Sequence, residues 1–521
     1  MTAITPSSPS HRSEPPCRGL RPEQEWTLVD QVQPLPKLKR SPIPIPDPRE
    51  EVGRMLSRER TREIIALCLI LSVGLVVRFW NIDAIPSVVN GDESGGIIHT
   101  LELVLGKHGS PFRLTHDGQI SYVTYLEKAA MLRLLGLDNT LLATRGTTAL
   151  LSLAALIPFY LLARKRMPRL VALSVTLLLS FGPWYLNFSR LPWIATDALF
   201  YGLWLFYFLE MMTTGGGWLP TLGAALSAGL VLYQYNGGKV FMIAAAAQLL
   251  YWLFKRSEAF HFREKLLQIL IFGVVTSLIA RPQIVVISRN FQTYATRADA
   301  LYVLGSGTDY YGIDPENKLG VLAHQVSYTV RGLVLFDPRV SAEGIENRRY
   351  KPPQMGGINL FLVPFFLIGL ISLLTRKDRS WSLKFSALYL SNLLFIQIPS
   401  SFVPNWARAL SLLPTVYLSI GLGIEALWAR IPGGFLKRHG ETIVGGFVVI
   451  SVVISITSFS TYWSWVQSPA FAQAQRPVVT VEEFPSYLSL MRDRIENDGR
   501  IFLLHDWNNP SWREKHLSPS E

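Results

Sequence analysis

Cysteine and charge are both scarce in this sequence. Its two cysteines, Cys17 and Cys68, lie in a polar tail and in an apolar run, so they predict neither a disulfide framework nor a cysteine-based metal site. Charged residues make up 17% of the chain, whereas soluble domains carry roughly a quarter. This shortage of charge argues against a soluble enzyme.

Long apolar runs take the place of the missing charge. The chain is 49% hydrophobic, with a mean hydropathy of +0.25. A transmembrane helix needs about 20 apolar residues, and about eleven runs reach or approach that length. The sequence therefore predicts an all-α polytopic membrane protein. The runs are residues 63–80, 141–163, 170–188, 193–212, 218–235, 239–254, 266–288, 357–374, 381–399, 407–428 and 441–463.

Basic residues indicate how the chain crosses the membrane. The net charge of +12 does not indicate a nucleic-acid partner, because the basic residues lie in short clusters between the apolar runs. Clusters occur at every second loop, at residues 164–169, 255–265, 376–379 and 430–438. Basic loops stay on the cytoplasmic side. The alternation predicts a multi-pass protein of the plasma membrane with a cytoplasmic N-terminus and an external C-terminus.

This topology divides the chain into segments of different character. Its N-terminal part has no early apolar core, so no cleavable signal peptide is expected, and its proline-rich basic tract predicts disorder. The segments are a cytoplasmic Pro-rich tail (1–60), a membrane module (61–290) with an external loop (81–140), a second external loop (291–356), C-terminal transmembrane helices (357–463) and an external C-terminal segment (464–521).

The external segments carry their own secondary structure. Residues 93–106 and 118–136 are amphipathic and predict interfacial helices. Counting the second as a span would place all later basic loops outside, so it is assigned to the membrane surface. Apolar stretches at 478–481 and 501–505 flank a helical pattern at 484–497, which predicts a small α/β unit.

Two adjacent carboxylates follow the first apolar run, in Gly91-Asp92-Glu93-Ser94. An aspartate can accept a proton from a nucleophile, and a second carboxylate can support it or bind a divalent cation. Asp92 and Glu93 are therefore candidate catalytic residues, and Glu93 is also a candidate metal ligand. The alternative for Asp92 is structural, because an aspartate at the start of a helix is a good N-cap.

Other polar residues fall near the same membrane face. His116 and Asp117 precede the second amphipathic stretch, where a cap or a solvated turn is the alternative to substrate binding. Asp197 lies inside an apolar run, where a carboxylate is costly unless it meets a cation or a cavity. Arg145 lies at the outer end of the second apolar run, and Arg190 lies at the outer end of the third. A structural ion pair between Asp197 and one of them is the alternative to a role in substrate binding.

Three basic residues, Lys239, Arg281 and Arg408, lie near the outer ends of later runs. A guanidinium at such a place can bind two phosphate oxygens. The alternative is that these side chains snorkel to lipid head groups. All three are candidate substrate-binding residues, together with those named above.

The order of these features resembles the N-terminal module of the GT-C membrane glycosyltransferases. An external Gly91-Asp92-Glu93-Ser94 follows the first span, and Arg145 lies within Leu142–Leu150. Phe188-Ser189-Arg190 then precedes Asp197. The resemblance is to the bacterial relatives of the dolichyl-phosphate-mannose-protein mannosyltransferases and to the lipid A aminoarabinose transferases.

The resemblance covers residues 60–260, with a weaker match at Arg408–Gly421. This sequence departs from the family pattern at His116-Asp117-Gly118, where relatives carry His-Pro-Pro. The resemblance implies a polyprenyl-phosphate-linked sugar donor and transfer outside the cytoplasm, with inversion, to a protein, lipid or glycan acceptor. Asp92 matches the catalytic acidic position. No cofactor is implied beyond a divalent metal ion, and the partners expected are the donor, the acceptor and the bilayer.

Two other classes of protein remain compatible with the sequence. A transporter or flippase of an amphipathic lipid would also use intramembrane charges such as Asp197, but it would show inverted repeats and broken helices. A non-catalytic membrane scaffold would tolerate changes at Asp92 and Glu93. Substitution of these carboxylates therefore separates the enzyme from the scaffold.

Overall fold

A computed structural model describes most of the chain from residue 48 to residue 497. The described residues are 48–115, 120–215, 217–256, 261–292, 294–295, 302–303, 317–334, 349–353, 355–375, 379–400, 403–431 and 433–497. His116, Asp117, most of the predicted N-terminal tail and the predicted strand at 501–505 lie outside these ranges. Residues 60–521 form one unit and residues 1–59 another.

The described part is almost entirely helical, as the apolar runs predict. Its α-helices are α1 (Pro48–Phe79), α2 (Gly91–Val104), α3 (Leu126–Leu135), α4 (Thr140–Arg164), α5 (Arg169–Ser180), α6 (Pro183–Arg190), α7 (Ile194–Thr213), α8 (Trp218–Tyr233), α9 (Val240–Phe254), α10 (Phe262–Arg289), α11 (Lys318–Val334), α12 (Val363–Thr375), α13 (Arg379–Asn392), α14 (Leu413–Trp428), α15 (Gly433–Val466), α16 (Pro469–Ala474) and α17 (Phe484–Asn497).

Several of these helices can cross a membrane. Within the described residues, 6 helical segments are long and apolar enough, or up to 7 if a bent pair counts as one span. The multi-pass helical fold is therefore confirmed, while the finer count of about eleven spans stays a prediction. The segments are Leu137–Arg164, Ile194–Thr213, Asn236–Phe254, Phe262–Arg289, Arg408–Trp428 and Thr442–Val466.

The bent pair is α5 and α6, which the sequence predicts as one continuous span. Their axes differ by 57°. Pro183 is the first residue of α6, and proline cannot continue the backbone hydrogen bonding of the helix before it. Gly182 lies in the break, where a Cβ would come within 2.4 Å of the Tyr417 hydroxyl. The break turns the polar end of α6, with Asn187 and Arg190, into the protein interior.

The second predicted external loop contains a helix that the hydropathy pattern missed. In α11 the side chains of Val321, Gln325, Thr329 and Leu333 are buried at four-residue spacing. This spacing marks one face of an amphipathic helix. Because polar residues interrupt its apolar face, α11 has no long apolar run to detect.

The C-terminal segment packs against the first external loop. Strand β1 (Val88–Asn90) pairs with strand β2 (Pro477–Thr480) in antiparallel register, with Val89 opposite Val479. Tyr487 of α17 lies with its hydroxyl oxygen 2.6 Å from the Ser94 Oγ in α2. The strand at 478–481 and the helix at 484–497 are thus confirmed. Their core is shared with α2, which explains how so short a segment folds.

Orientation in the membrane can be tested with single cysteines in a variant in which the native cysteines are replaced. Ser110 and Ser486 are exposed on the segments predicted to be external, and Lys165 and Arg256 are exposed on loops predicted to be cytoplasmic. We expect cysteines at the two serine positions to react with a membrane-impermeant maleimide in intact cells. Cysteines at the two basic positions should react only after lysis, and labelling at 256 in intact cells would invert the topology.

Candidate active site

Asp92 lies in the first turn of α2 with its carboxylate directed outward. Its side chain is 48% exposed, and its Oδ2 accepts a hydrogen bond from the Arg349 Nη2 at 2.9 Å. The helix cap is Asn90, the residue before the first residue of α2. Its side-chain oxygen accepts a hydrogen bond from the Glu93 backbone N–H. The structural alternative of Asp92 as the N-cap is therefore wrong.

Arg349, the cation beside Asp92, was not among the sequence candidates. Its guanidinium lies over the Trp193 ring, with its central carbon 5.8 Å from the ring centroid. Tyr350 stacks on Phe188 at 5.5 Å, and the carbonyls of Arg349 and Tyr350 both accept hydrogen bonds from the Asn187 side chain. The end of α6 thus fixes the chain that carries Arg349. The sequence signal was the short basic run Arg348–Lys351 within a predicted external loop.

Glu93 points in the opposite direction and is buried. Both of its carboxylate oxygens accept hydrogen bonds from Arg145, at 2.6 Å from Nε and 3.2 Å from Nη2. Arg145 also donates to the backbone carbonyls of Ile82, Pro86 and Val88. This bidentate buried pair fixes the loop that leads into α2. With both oxygens so engaged, Glu93 supports the position of Asp92, and Arg145 lies beneath the loop.

Arg190 is also enclosed by backbone. Its guanidinium donates to the carbonyls of Val77, Arg78, Trp80 and Ile85. The first two belong to the last turn of α1, whose final carbonyls have no partner within the helix. Arg190 therefore closes the C-terminus of α1, and in this geometry it acts on the scaffold of the site.

Asp197 forms the ion pair that the sequence indicated, but with a different partner. The expected partners, Arg145 or Arg190, are both used elsewhere. Instead the Lys128 Nζ of α3 lies 2.5 Å from the Asp197 Oδ2, and both side chains are fully buried. The prediction of a pair with either arginine is wrong because α3 packs against the helical body and brings Lys128 to α7. The other Asp197 oxygen, Oδ1, is buried without a hydrogen-bond partner.

Lys239 and Arg408 lie close to each other. The Lys239 Nζ donates to the Asn236 Oδ1 and the Tyr294 hydroxyl, each at 2.6 Å. A Cβ on Gly237 would come within 3.2 Å of the Arg408 Cα, so the start of the span with Lys239 packs directly on the backbone that carries Arg408. The Arg408 side chain is half-buried. The geometry brings these two sequence candidates together.

Lys351 extends this group of cations toward Asp92. It lies two residues beyond Arg349, and its Nζ is 5.3 Å from the centroid of the Trp406 ring. Burial lowers the pKa of Lys351 to about 8, and a nearby anion would oppose this shift. Packing thus brings together the segment that carries Arg349 and Lys351, the segment that carries Arg408 and the segment that carries Lys239.

Arg281 is separate from this group and faces outward from α10. Its side chain is exposed, and it lines an open apolar groove of about 700 Å³. Leu266, Leu270, Gly273 and Val274 are among the residues that line the same groove. A surface of this kind on a membrane-spanning helix faces lipid chains. Arg281 therefore lies on an exposed apolar surface of α10, and its role in substrate binding stays a prediction.

The described residues offer no preformed metal centre. Within them, no group of three or more histidine, cysteine, aspartate or glutamate side chains converges in a way that could hold an ion. Asp92 is the exposed carboxylate of the acidic pair, and Glu93 is occupied by Arg145. In this geometry the site can move a proton and hold anions with its own side chains.

Comparison with solved structures identifies the fold. ArnT from Cupriavidus metallidurans, bound to undecaprenyl phosphate, matches with a TM-score of 0.50 and 13% identity over 83% of this chain and 77% of that chain. The apo oligosaccharyltransferase of Archaeoglobus fulgidus matches with a TM-score of 0.49 and 14% identity over 80% of this chain and 56% of that chain. No family model and no curated protein matches the sequence.

The match to ArnT shows that this chain shares the fold of that protein. The resemblance stated from the sequence is thereby confirmed for the fold. At such low identity it carries no information on the sugar or the acceptor, so the activity has to be argued from the site.

Substitution of Lys128 and Asp197 separates the two interpretations of Asp197, a structural ion pair and a role in substrate binding. Asp197→Asn or Lys128→Met alone leaves one uncompensated buried charge, which costs about 3–5 kcal/mol. We expect each single variant to lower the thermal stability in detergent, and the double variant to recover much of the loss. If the double variant is stable and active, Asp197 is structural. If it is stable but inactive, Asp197 has the predicted role in substrate binding.

Proposed function

We propose that this protein is a membrane glycosyltransferase that moves a sugar from a polyprenyl-phosphate donor to an acceptor at the external membrane face, with inversion. The observation that carries the proposal is the position of Asp92. Asp92 is an exposed carboxylate that directly follows a rigidly held loop and lies beside Arg349. The chain that carries it has the GT-C fold. The ArnT structure contains undecaprenyl phosphate, which supports a donor of this lipid class.

Asp92 acts as the general base in this mechanism. Its carboxylate accepts the proton of an acceptor hydroxyl or amine, and the oxygen or nitrogen attacks the anomeric carbon of the sugar. The bond between that carbon and the phosphate oxygen breaks, and its electron pair leaves with the polyprenyl phosphate. A single in-line displacement of this kind inverts the anomeric centre.

The leaving phosphate gains negative charge as the bond breaks. Fixed cations near the reacting carbon stabilise that charge more in the transition state than in the ground state. Arg408 and Lys239 are the proposed phosphate ligands. The packing of Gly237 on the Arg408 backbone and the contact of Lys351 with the Trp406 ring support this choice, because they join the segments of these residues to the segment that carries Arg349. The N-terminus of α2, which carries Asp92, adds a favourable partial positive charge.

The polyprenyl tail of the donor requires contact with the bilayer. Many apolar side chains on the long helices are exposed, among them Leu270, Val274 and Leu278 of α10. A helical body with a lipid-facing surface and a polar loop above it can receive the tail and the sugar at once. His116 and Asp117 remain proposed acceptor-side residues on the basis of their sequence position.

A transporter is less well supported. The described part does contain a broken helix pair, α5 and α6, which is a feature of some transporters. However, the intramembrane carboxylate Asp197 is paired with Lys128 and fully buried. A coupling ion or substrate would need access to it.

The proposed base is tested by Asp92→Asn, with Asp83→Asn as the control because Asp83 is an exposed carboxylate of the same loop. Asparagine keeps an oxygen for Arg349 but cannot accept the proton. We expect kcat with a labelled polyprenyl-phosphate sugar to fall at least about 100-fold in Asp92→Asn. The control should match wild type. Near wild-type turnover of Asp92→Asn would refute the proposed mechanism.

The phosphate site is tested at Arg408. A guanidinium can bind two phosphate oxygens at once, whereas an ammonium is a single mobile charge. We expect Arg408→Lys to raise the donor KM and lower kcat several-fold, and Arg408→Ala to lower both donor affinity and turnover severely. Arg430→Ala is the control, because Arg430 is exposed just beyond α14. If Arg408→Lys behaves as wild type, Arg408 anchors the helix to head groups and the phosphate role passes to Lys239.

A further inference from the structure

A chain of buried hydrogen bonds connects the C-terminal segment to Asp92. The Asn90 Nδ2 donates to the Gln475 Oε1 at 3.0 Å, and the Gln475 Nε2 donates to the Arg349 backbone carbonyl at 2.8 Å. Asn90 is the cap of α2, whose first turn carries Asp92, and Arg349 is the cation paired with the Asp92 carboxylate. Gln475 therefore contacts both supports of Asp92.

These hydrogen bonds are fully removed from water. Asn90 and Gln475 are each 1% exposed, and Arg349 is 8% exposed. Losing one partner of a buried hydrogen bond leaves the other group unsatisfied in the protein interior, which is unfavourable. The amide of Gln475 uses its acceptor end toward Asn90 and its donor end toward Arg349. It can satisfy both partners in only one orientation.

The backbone on either side fixes Gln475 at this place. Helix α16 ends at Ala474, and Arg476 adopts a left-handed φ of 48° that turns the chain into β2. Strand β2 then pairs with β1, where Pro477 lies opposite Asn90. The contact between Tyr487 and Ser94 attaches the same segment to α2 a second time.

We propose that Gln475 is a positioning residue for the transfer reaction and that the strand and helix that follow it, residues 477–497, are a structural part of the active site. Gln475 holds the cap of α2 and the chain of Arg349 at a fixed separation, and thereby orients the Asp92 carboxylate between them. The kinetic part of this inference rests on the proposed function. The structural coupling does not.

Loss of the Gln475 side-chain amide should slow the transfer step more than it weakens donor binding. Without Gln475, the start of α2 and the chain of Arg349 can move independently, and the carboxylate spends less time in the reactive orientation. The proposed ligands of the donor phosphate, Lys239 and Arg408, belong to segments other than the two that Gln475 joins. The expected signature is a lower kcat with a donor KM close to that of wild type.

Two variants break the link without a large change in volume. Gln475→Met is nearly isosteric and removes both hydrogen bonds. Asn90→Asp keeps an oxygen for the helix cap but removes the donor, so the Gln475 amide can satisfy only one of its two partners. We expect each to lower kcat about tenfold and to change the donor KM by less than about twofold. Gln473→Met is the control, because Gln473 is exposed and lies only two residues before Gln475.

A double-mutant cycle separates positioning from general stability. If Gln475 acts through Arg349, Gln475→Met should cost about tenfold in kcat in wild type but less than about twofold when Arg349 is already alanine. A purely structural role would give the same factor in both backgrounds. That result would overturn the proposal.

Hydrogen exchange tests the coupling without any turnover. In the full-length protein in detergent, Gln475→Met and Asn90→Asp should accelerate amide exchange both at residues 88–93 and at residues 349–351, while Gln473→Met should not. Acceleration at neither or at only one of the two segments would refute the link. If wild type transfers no sugar, the proposed function fails, and the exchange measurement still decides whether Gln475 couples the two segments.

Discussion

The buried guanidinium of Arg145 determines the arrangement of the site. It binds both oxygens of Glu93 and the carbonyls of Ile82, Pro86 and Val88, so the loop between α1 and α2 folds around one side chain. Only arginine has enough N–H donors in a rigid plane to satisfy this set. The loop has little secondary structure of its own, and its conformation follows from these bonds. Because Glu93 is held inward, the adjacent Asp92 faces the exposed surface.

Two neighbouring carboxylates thus have different environments. Glu93 is 2% exposed and its partner Arg145 is 0% exposed, whereas the Asp92 side chain is about half exposed. The proposed proton transfer requires a carboxylate that the substrate can reach. A rigid loop requires a carboxylate that is buried and held by an ion pair. The acidic pair in the sequence divides these requirements between its members. The positive helix N-terminus beneath them is favourable for both negative charges.

The sequence was informative where an effect is local or periodic. Apolar runs predicted the helices, basic loops predicted an orientation, and the position of Asp92 after the first span predicted the candidate base. Partners distant in the chain could not be predicted. Asp197 needed a cation, and Arg145 and Arg190 were the expected partners, but packing of α3 selected Lys128. Gln475 carries no local pattern, and the basic run around Arg349 does not reveal its partners, because both roles arise only when α6, β1 and β2 meet.

The pairing of β1 with β2 also has a consequence for biosynthesis. Asn90 and Gln475 are 385 residues apart in sequence, and nearly all the helices are made between them. While the ribosome is still producing those helices, β1 exposes unpaired backbone groups, and the cap of α2 lacks its partner amide. A nascent chain would therefore carry Asp92 without its final support until α16 and β2 dock. The hydrogen bonds that support Asp92 therefore form only after the docking of α16 and β2.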